Sequence, residues 1–256
     1  MFLDLYPNFK KGRILKKEML ESLRDYPRNF IDIRFRDYSD GIVAGADVLI
    51  GRDHLTITSG IVKHKGRIYM LENEYRLPYE AVGTETVLKI RFKEEVVYGD
   101  FTSYHTEIVL DDDVQVQHDE LELGRFKLKE GARLRSEYKN FDDFATEYNT
   151  FNIIHVEYAA FRKSTFSPVI LRYFAMEMLK SGSTHPYDVG FSMQCMNQGS
   201  VDRELILYYL ANRLGTEYKE YSNVQIHKYL GRILADVKGG IRTKVVSGGR
   251  QRIIID

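Results

Sequence analysis

The sequence predicts an α+β protein: an N-terminal helical arm, a small antiparallel β-sandwich or barrel, and a C-terminal helical domain ending in a β-hairpin. Three observations predict it. Apolar and polar residues alternate in short runs between Ile31 and Leu128. Apolar residues recur at spacings of three and four between Phe141 and Gly240. Glycines punctuate the first pattern, whereas helix caps punctuate the second. The expected divisions are 1–30 for the arm, 31–135 for the β-rich domain, 136–240 for the helical domain and 241–256 for the tail.

The arm is expected to be helical over Arg13–Asp25. Ile14, Leu15, Met19, Leu20 and Leu23 fall on one face there, Lys16, Lys17, Glu21 and Arg24 on the other, and Pro27 sits just past the end. An amphipathic helix of this kind must cover something, in its own domain or a neighbour's.

In the β region, Ile61–His64 and Arg67–Leu71 flank Lys65-Gly66 and read as a tight hairpin. Leu88, Ile90 and Phe92 alternate with Lys89, Arg91 and Lys93, the pattern of a strand with one face in water. Leu121 and Leu123 share one phase, Phe126 and Leu128 the opposite one, so a bulge or sharp bend is expected at Gly124-Arg125. Gly41, Gly45, Gly60, Gly66 and Gly124 are the expected structural turns.

In the helical region, Ser167-Pro168 opens VILRYFAMEMLK and Gly182 follows it. Ser200, with Asp202 and Glu204 behind it, opens the next helix, and Gly215 closes it. Ser222-Asn223 precedes the stripe Ile226, Tyr229, Leu230, Ile233, Leu234 and Val237, which is expected to pack within the chain and stop at Gly239-Gly240. Beyond it, IRTKVV, a Ser-Gly-Gly turn and RQRIIID read as a terminal hairpin. Two strands alone are marginal in water, so this tail needs a partner surface. Leu15, Met19 and Leu23 on the arm, with Val245, Val246, Ile253, Ile254 and Ile255 in the tail, are the candidate interface residues.

The chain carries no recognisable catalytic constellation. No phosphate-binding glycine loop, dinucleotide fingerprint, nucleophile elbow or zinc-protease motif is present. No two of the seven histidines stand three or four apart, so no helix offers a histidine pair to a metal. Asp111-Asp112-Asp113 lacks the ligand spacing of a calcium loop and reads, with His118-Asp119-Glu120, as a solvated turn. Cys195, the single cysteine, stands between methionines and reads as a buried small hydrophobe. No catalytic residue, cofactor, metal or small-molecule substrate is expected.

With 256 residues, 43% of them hydrophobic and 29% charged, the chain can bury a substantial core. Lys plus Arg and Asp plus Glu balance at 37 each, which gives no overall bias toward nucleic acid. No apolar run approaches the roughly 20 residues of a membrane span. The lone cysteine fits a reducing compartment, and the apolar-then-basic opening has the reverse order of a secretory signal. Charge is nevertheless uneven. From Glu94 to Glu122 there are acids but no Lys or Arg, whereas the arm and tail are basic; a solvated acidic face is the default expectation, and the sharper one is that acidic edge and basic ends meet across subunits.

The stretch from Tyr38 to Leu71 resembles an opening module of tail, baseplate and fibre-attachment proteins of bacteriophages and phage-tail-like particles. The resemblance lies in Asp40-Gly41-Ile-Val followed by Gly45, an alternating strand running into Ser59-Gly60, and the Gly66-Arg67 hairpin turn. ELELGRFKLKEGARLR and FDDFATEYNTFNIIHVEYA, further on, resemble the remainder of one such prophage family. The resemblance implies a non-catalytic structural component at the distal end of a tail, linking a baseplate to fibres or other appendages. Its partners would be other baseplate proteins and copies of itself, and its place the bacterial cytoplasm during assembly and the mature particle thereafter. The alternative is a cell-surface or carbohydrate recognition module at the tail tip, with Tyr69, Tyr75, Tyr79, Tyr98 and Tyr104 stacking on sugars.

Overall fold

The computed structural model describes residues 3–197 and 199–246. The described chain has a mixed architecture of five α-helices and three small antiparallel sheets, not a closed barrel. Helix α1 (Lys17–Arg34) comes first. Strands β1 (Gly41–Gly45), β2 (Val48–Ile50), β3 (His54–Ile57), β4 (Gly60–His64), β5 (Arg67–Leu71) and β6 (Tyr75–Pro78) follow closely. They form two sheets ordered β1-β4-β5 and β2-β3-β6. The chain passes from one sheet to the other between β1 and β2, between β3 and β4, and between β5 and β6. Such corners keep the strands short and prevent closure into one barrel. Gly45 pairs with Gly60 at one corner, and Gly41 pairs with Lys63 across β4.

The hairpin at Lys65-Gly66 forms as its sequence predicts. His64 pairs with Arg67, and both turn residues have positive φ, 45° and 74°, which matches the twist of the flanking strands.

The third sheet is ordered β8-β7-β9, from β7 (Glu85–Tyr98), β8 (Phe101–Asp111) and β9 (Glu120–Lys127). The expected irregularity is present: Leu88 pairs with Gly124 and Lys89 with Glu122, so Leu123 is the extra residue. Gly124 takes φ +148°, and an added Cβ would lie 2.4 Å from the Phe151 ring. The bulge lets Leu121, Leu123, Phe126 and Leu128 all reach the core.

The face of β7 expected in water is not in water. Lys89 is 1% exposed; its ammonium reaches Glu120 at 3.0 Å, Asp111 at 3.4 Å and the Gln115 carbonyl at 2.6 Å. Arg91 pairs with the same two carboxylates. The alternation is real, but the ends of β8 and β9 supply Asp111 and Glu120, and the loop between them the Gln115 carbonyl, which together compensate the buried cation.

After a 3-10 turn at Phe141–Ala145 come α2 (Pro168–Lys180), α3 (Pro186–Asn197), α4 (Arg203–Leu214) and α5 (Asn223–Val246). Asp202, two residues after the expected Ser200, stands at the N-cap position of α4 without a side-chain capping bond, and the helix ends at Gly215 with φ 63°. Ser222 and Gln225 cap α5 reciprocally: the Ser222 amide donates to Gln225 Oε1 at 2.9 Å, and the Gln225 amide to Ser222 Oγ at 3.3 Å. Ile226, Leu230, Ile233 and Leu234 are buried within the helical core, as the stripe requires.

Two expectations are corrected here. Pro27 lies inside α1, and the helix continues to Arg34. Proline removes one intrahelical donor, but this helix buries no residue, so water can serve the freed carbonyl. The backbone of Ile241–Val246 continues α5 instead of opening a hairpin. Two glycines in a helix cost only about 2 kcal/mol against alanine, too little to end a helix packed along its preceding length. Ile253, Ile254 and Ile255 lie outside the described residues.

Two hydrophobic cores result. The β core includes Leu55, Ile57, Leu88 and Phe126; the helical core includes Ile170, Phe174, Ile206 and Leu230. The segment from Leu134 to Phe166 serves both in alternation: Leu134, Phe151 and Val156 enter the first, while Phe141, Phe144, Ile154 and Phe166 enter the second. Ile153 packs against both.

Candidate functional site

The body of the protein spends most of its buried polar groups on itself, His64 Nε2, Ser167 Oγ and Ser192 Oγ excepted. Asp143 accepts two hydrogen bonds from Arg135, at 2.6 and 2.7 Å, and others from the Lys139 amide and Thr146; they hold its carboxyl well below the usual carboxylate range. Asp188, fully buried on α3, accepts from Tyr209, Arg213 and Ser183. Arg125 is held by Glu122 and Glu85. Burial pushes the Cys195 thiol up to about 12, so it stays protonated and inert. Among the described residues no group of three or more His, Cys, Asp or Glu could hold a metal ion, and no helix is long and apolar enough to cross a membrane. A polar cleft of about 470 Å³ beside β9 includes His64, His118 and His155, but its Lys63, Glu120, Glu122 and Arg125 are all engaged within the fold. Burial lowers the pKa of both His64 and His155.

What remains uncommitted lies on two projections. The first is α1. Lys63, on β4 and 5% exposed, donates to the carbonyls of Phe35 at 2.6 Å, Arg36 at 3.2 Å and Tyr38, the residues that leave the helix. A buried ammonium thus receives the C-terminal end of α1, where the helix dipole favours a cation. Beyond that anchor, Met19, Leu23, Tyr26, Phe30 and Ile33 repeat at spacings of four and three along one face. Leu23, Tyr26, Phe30 and Ile33 are exposed, Phe30 to 64%. This is the heptad spacing of a helix seam made for another helix.

Of the expected arm interface, Met19 and Leu23 lie on this seam, whereas Leu15 precedes the helix and is exposed in the extended segment before it. Tyr26, Phe30 and Ile33 lie outside the arm face that the sequence predicts, because Pro27 reads as a stop; the uninterrupted four-three spacing across it is the signal that includes them. Val245 and Val246 fall on the helical extension of α5 and not on a strand.

The second projection is the β7–β8 hairpin. Val96, Val97, Tyr98 and Phe101 at its tip are all exposed, Tyr98 to 83% and Phe101 to 76%. Of the candidate stacking tyrosines, Tyr69 and Tyr104 line one cleft, while Tyr79 and Tyr98 lie elsewhere. Tyr79 donates to the Gly51 carbonyl at 3.0 Å, Tyr69 packs on Phe92, Tyr104 lies under Arg67, and Tyr98 stands at the tip.

Between α1 and the outer side of β4 and β5 lies an open cleft of about 870 Å³. Ile61, Ile68 and Met70 give it an apolar floor, and Arg24, Arg28, Lys65 and Arg67, with the single acid Asp32, a mainly cationic rim.

No protein-family model matches the chain, and no curated protein does. Among solved structures, the crystal structure of TssK overlaps 92% of this chain and 69% of its own, at 9% identity and a TM-score of 0.45. A chain from the TssK-TssF-TssG baseplate subcomplex of the type VI secretion system overlaps 91% of this chain and 99% of its own, at 10% identity and a TM-score of 0.39. Superpositions this loose carry no weight for function.

Proposed function

We propose that the chain is a non-catalytic structural subunit of a phage-tail-like baseplate, joining neighbouring subunits and linking the baseplate to fibres or other appendages. The observation that carries the assembly role is the exposed apolar seam of α1, held to the body by buried Lys63. A solvated helix gains nothing from a four-three apolar stripe unless another surface covers it. The choice of a tail-like apparatus is supported by the sequence resemblance between Tyr38 and Leu71. The carbohydrate-recognition alternative has less support, because Tyr69, Tyr79 and Tyr104 are engaged within the fold by Phe92, the Gly51 carbonyl and Arg67.

The test is Leu23→Ser with Phe30→Ser, followed by incorporation of the variant into tail-like particles. Both side chains are exposed, so the isolated chain should keep its melting temperature, while incorporation should fail. Normal incorporation of the variant would remove the assembly role of this seam.

A further inference from the structure

The cleft and the hairpin tip complement each other, although one molecule cannot bring its own two together. Tyr104 lines the cleft and pairs with Glu95 across the hairpin, so the hairpin leaves from the cleft's edge. From there the ladder runs through Val96–Ser103 and Val97–Thr102 to Tyr98–Phe101, carrying the tip about 10 Å further out at a strand's rise per residue. A hydrogen-bonded ribbon of this length does not fold back on its root.

Their chemistry matches. The cleft has an apolar floor, and its rim residues Arg28 and Lys65 form no ion pair among the described residues. The tip has four exposed apolar side chains flanked by Glu94 and Asp100, which also form no ion pair among the described residues. Apolar contact would supply the affinity and the opposed charges the orientation. We propose that the β7–β8 tip of one copy of this chain seats in the α1–β4–β5 cleft of a second copy. The inference rests on the assembly role proposed above and names one of its partners. Donor and acceptor surfaces differ, so the contact is head-to-tail.

The experiment follows molar mass against concentration by light scattering for the full chain. Association of the wild type should be lost in Tyr98→Ser/Phe101→Ser. Arg28→Glu and Asp100→Lys should each weaken it by about tenfold or more, and a mixture of these two proteins should regain it, since each provides the other's missing sign. Met70→Cys mixed with Tyr98→Cys should give a disulfide-linked heterodimer. A wild type that remains monomeric at every concentration, or a tip variant that associates as before, would overturn the proposal. If the chain is monomeric yet the α1 seam variants still fail to enter particles, the assembly role stands and only the hairpin–cleft contact falls.

Discussion

The ammonium of Lys63 lies 2.6 Å from the carbonyl oxygen of Phe35, the residue that caps α1. That contact joins a helix with no buried residue to a strand in the interior. It fixes the end of the arm, alongside the backbone bonds that tie Asp37 and Ser39 to Arg162 and Ala160.

Lys63→Met should remove the ammonium from three carbonyls, of which that of Phe35 keeps the Tyr38 amide, at a cost of about 1–3 kcal/mol. Amide exchange over 17–38 should accelerate while β4 and β5 stay protected. Unchanged exchange in α1 would show that the helix is held by something else.

Lys89→Met tests the buried charge cluster. Removing the cation strands Asp111 and Glu120 against each other, with only Arg91 to compensate. Loss of one partner from a buried pair costs about 3–5 kcal/mol, read as a lowered urea midpoint. A change within about 0.5 kcal/mol would mean that the face is wet after all.

Gly124→Ala should destabilise strongly, because its φ of +148° disfavours a side chain and the new methyl meets Phe151. Backbone strain and overpacking together suggest roughly 2–5 kcal/mol. Gly131→Ala, also at positive φ but in open space, should cost less. Equal losses for the two would refute the packing argument.

Burial lowers the pKa of His64, His155 and His227 below the ordinary imidazole value. The folded state thus binds fewer protons than the unfolded chain near pH 6. Stability from this source is complete above the unfolded value of about 6.5, and is lost as pH falls toward and through the folded values. Urea midpoints should decline across that window. His227→Gln, which keeps a donor for the Phe141 carbonyl, should flatten the decline. An unchanged slope would assign it elsewhere.

Much of the fold was legible because local chemistry and tertiary structure agree. Lys65-Gly66 specifies its hairpin, Gly215 ends α4, and Ser222 begins α5, each through backbone geometry set by a few neighbouring residues. Other features depend on what surrounds a residue after folding. Nothing near Lys89 announces that Asp111 and Glu120 will enclose it. Pro27 and Gly239-Gly240 are breakers by propensity, yet the helices pass through them. Of the candidate site, Met19 and Leu23 were legible from spacing. The cleft was not, since α1 and β4–β5 meet there only after folding.

The alternating path of residues 134–166 has a consequence for how the protein comes apart. Successive side chains from Leu134 to Phe166 are inserted into one core and then the other, as a thread passes through two layers of cloth. Withdrawing that thread to melt either layer extracts anchors from its neighbour. The β and helical halves should therefore denature in one cooperative event, with calorimetric and van't Hoff enthalpies equal. A protein subjected to mechanical load in an assembly would then yield all at once, with no half-unfolded form to expose its interior.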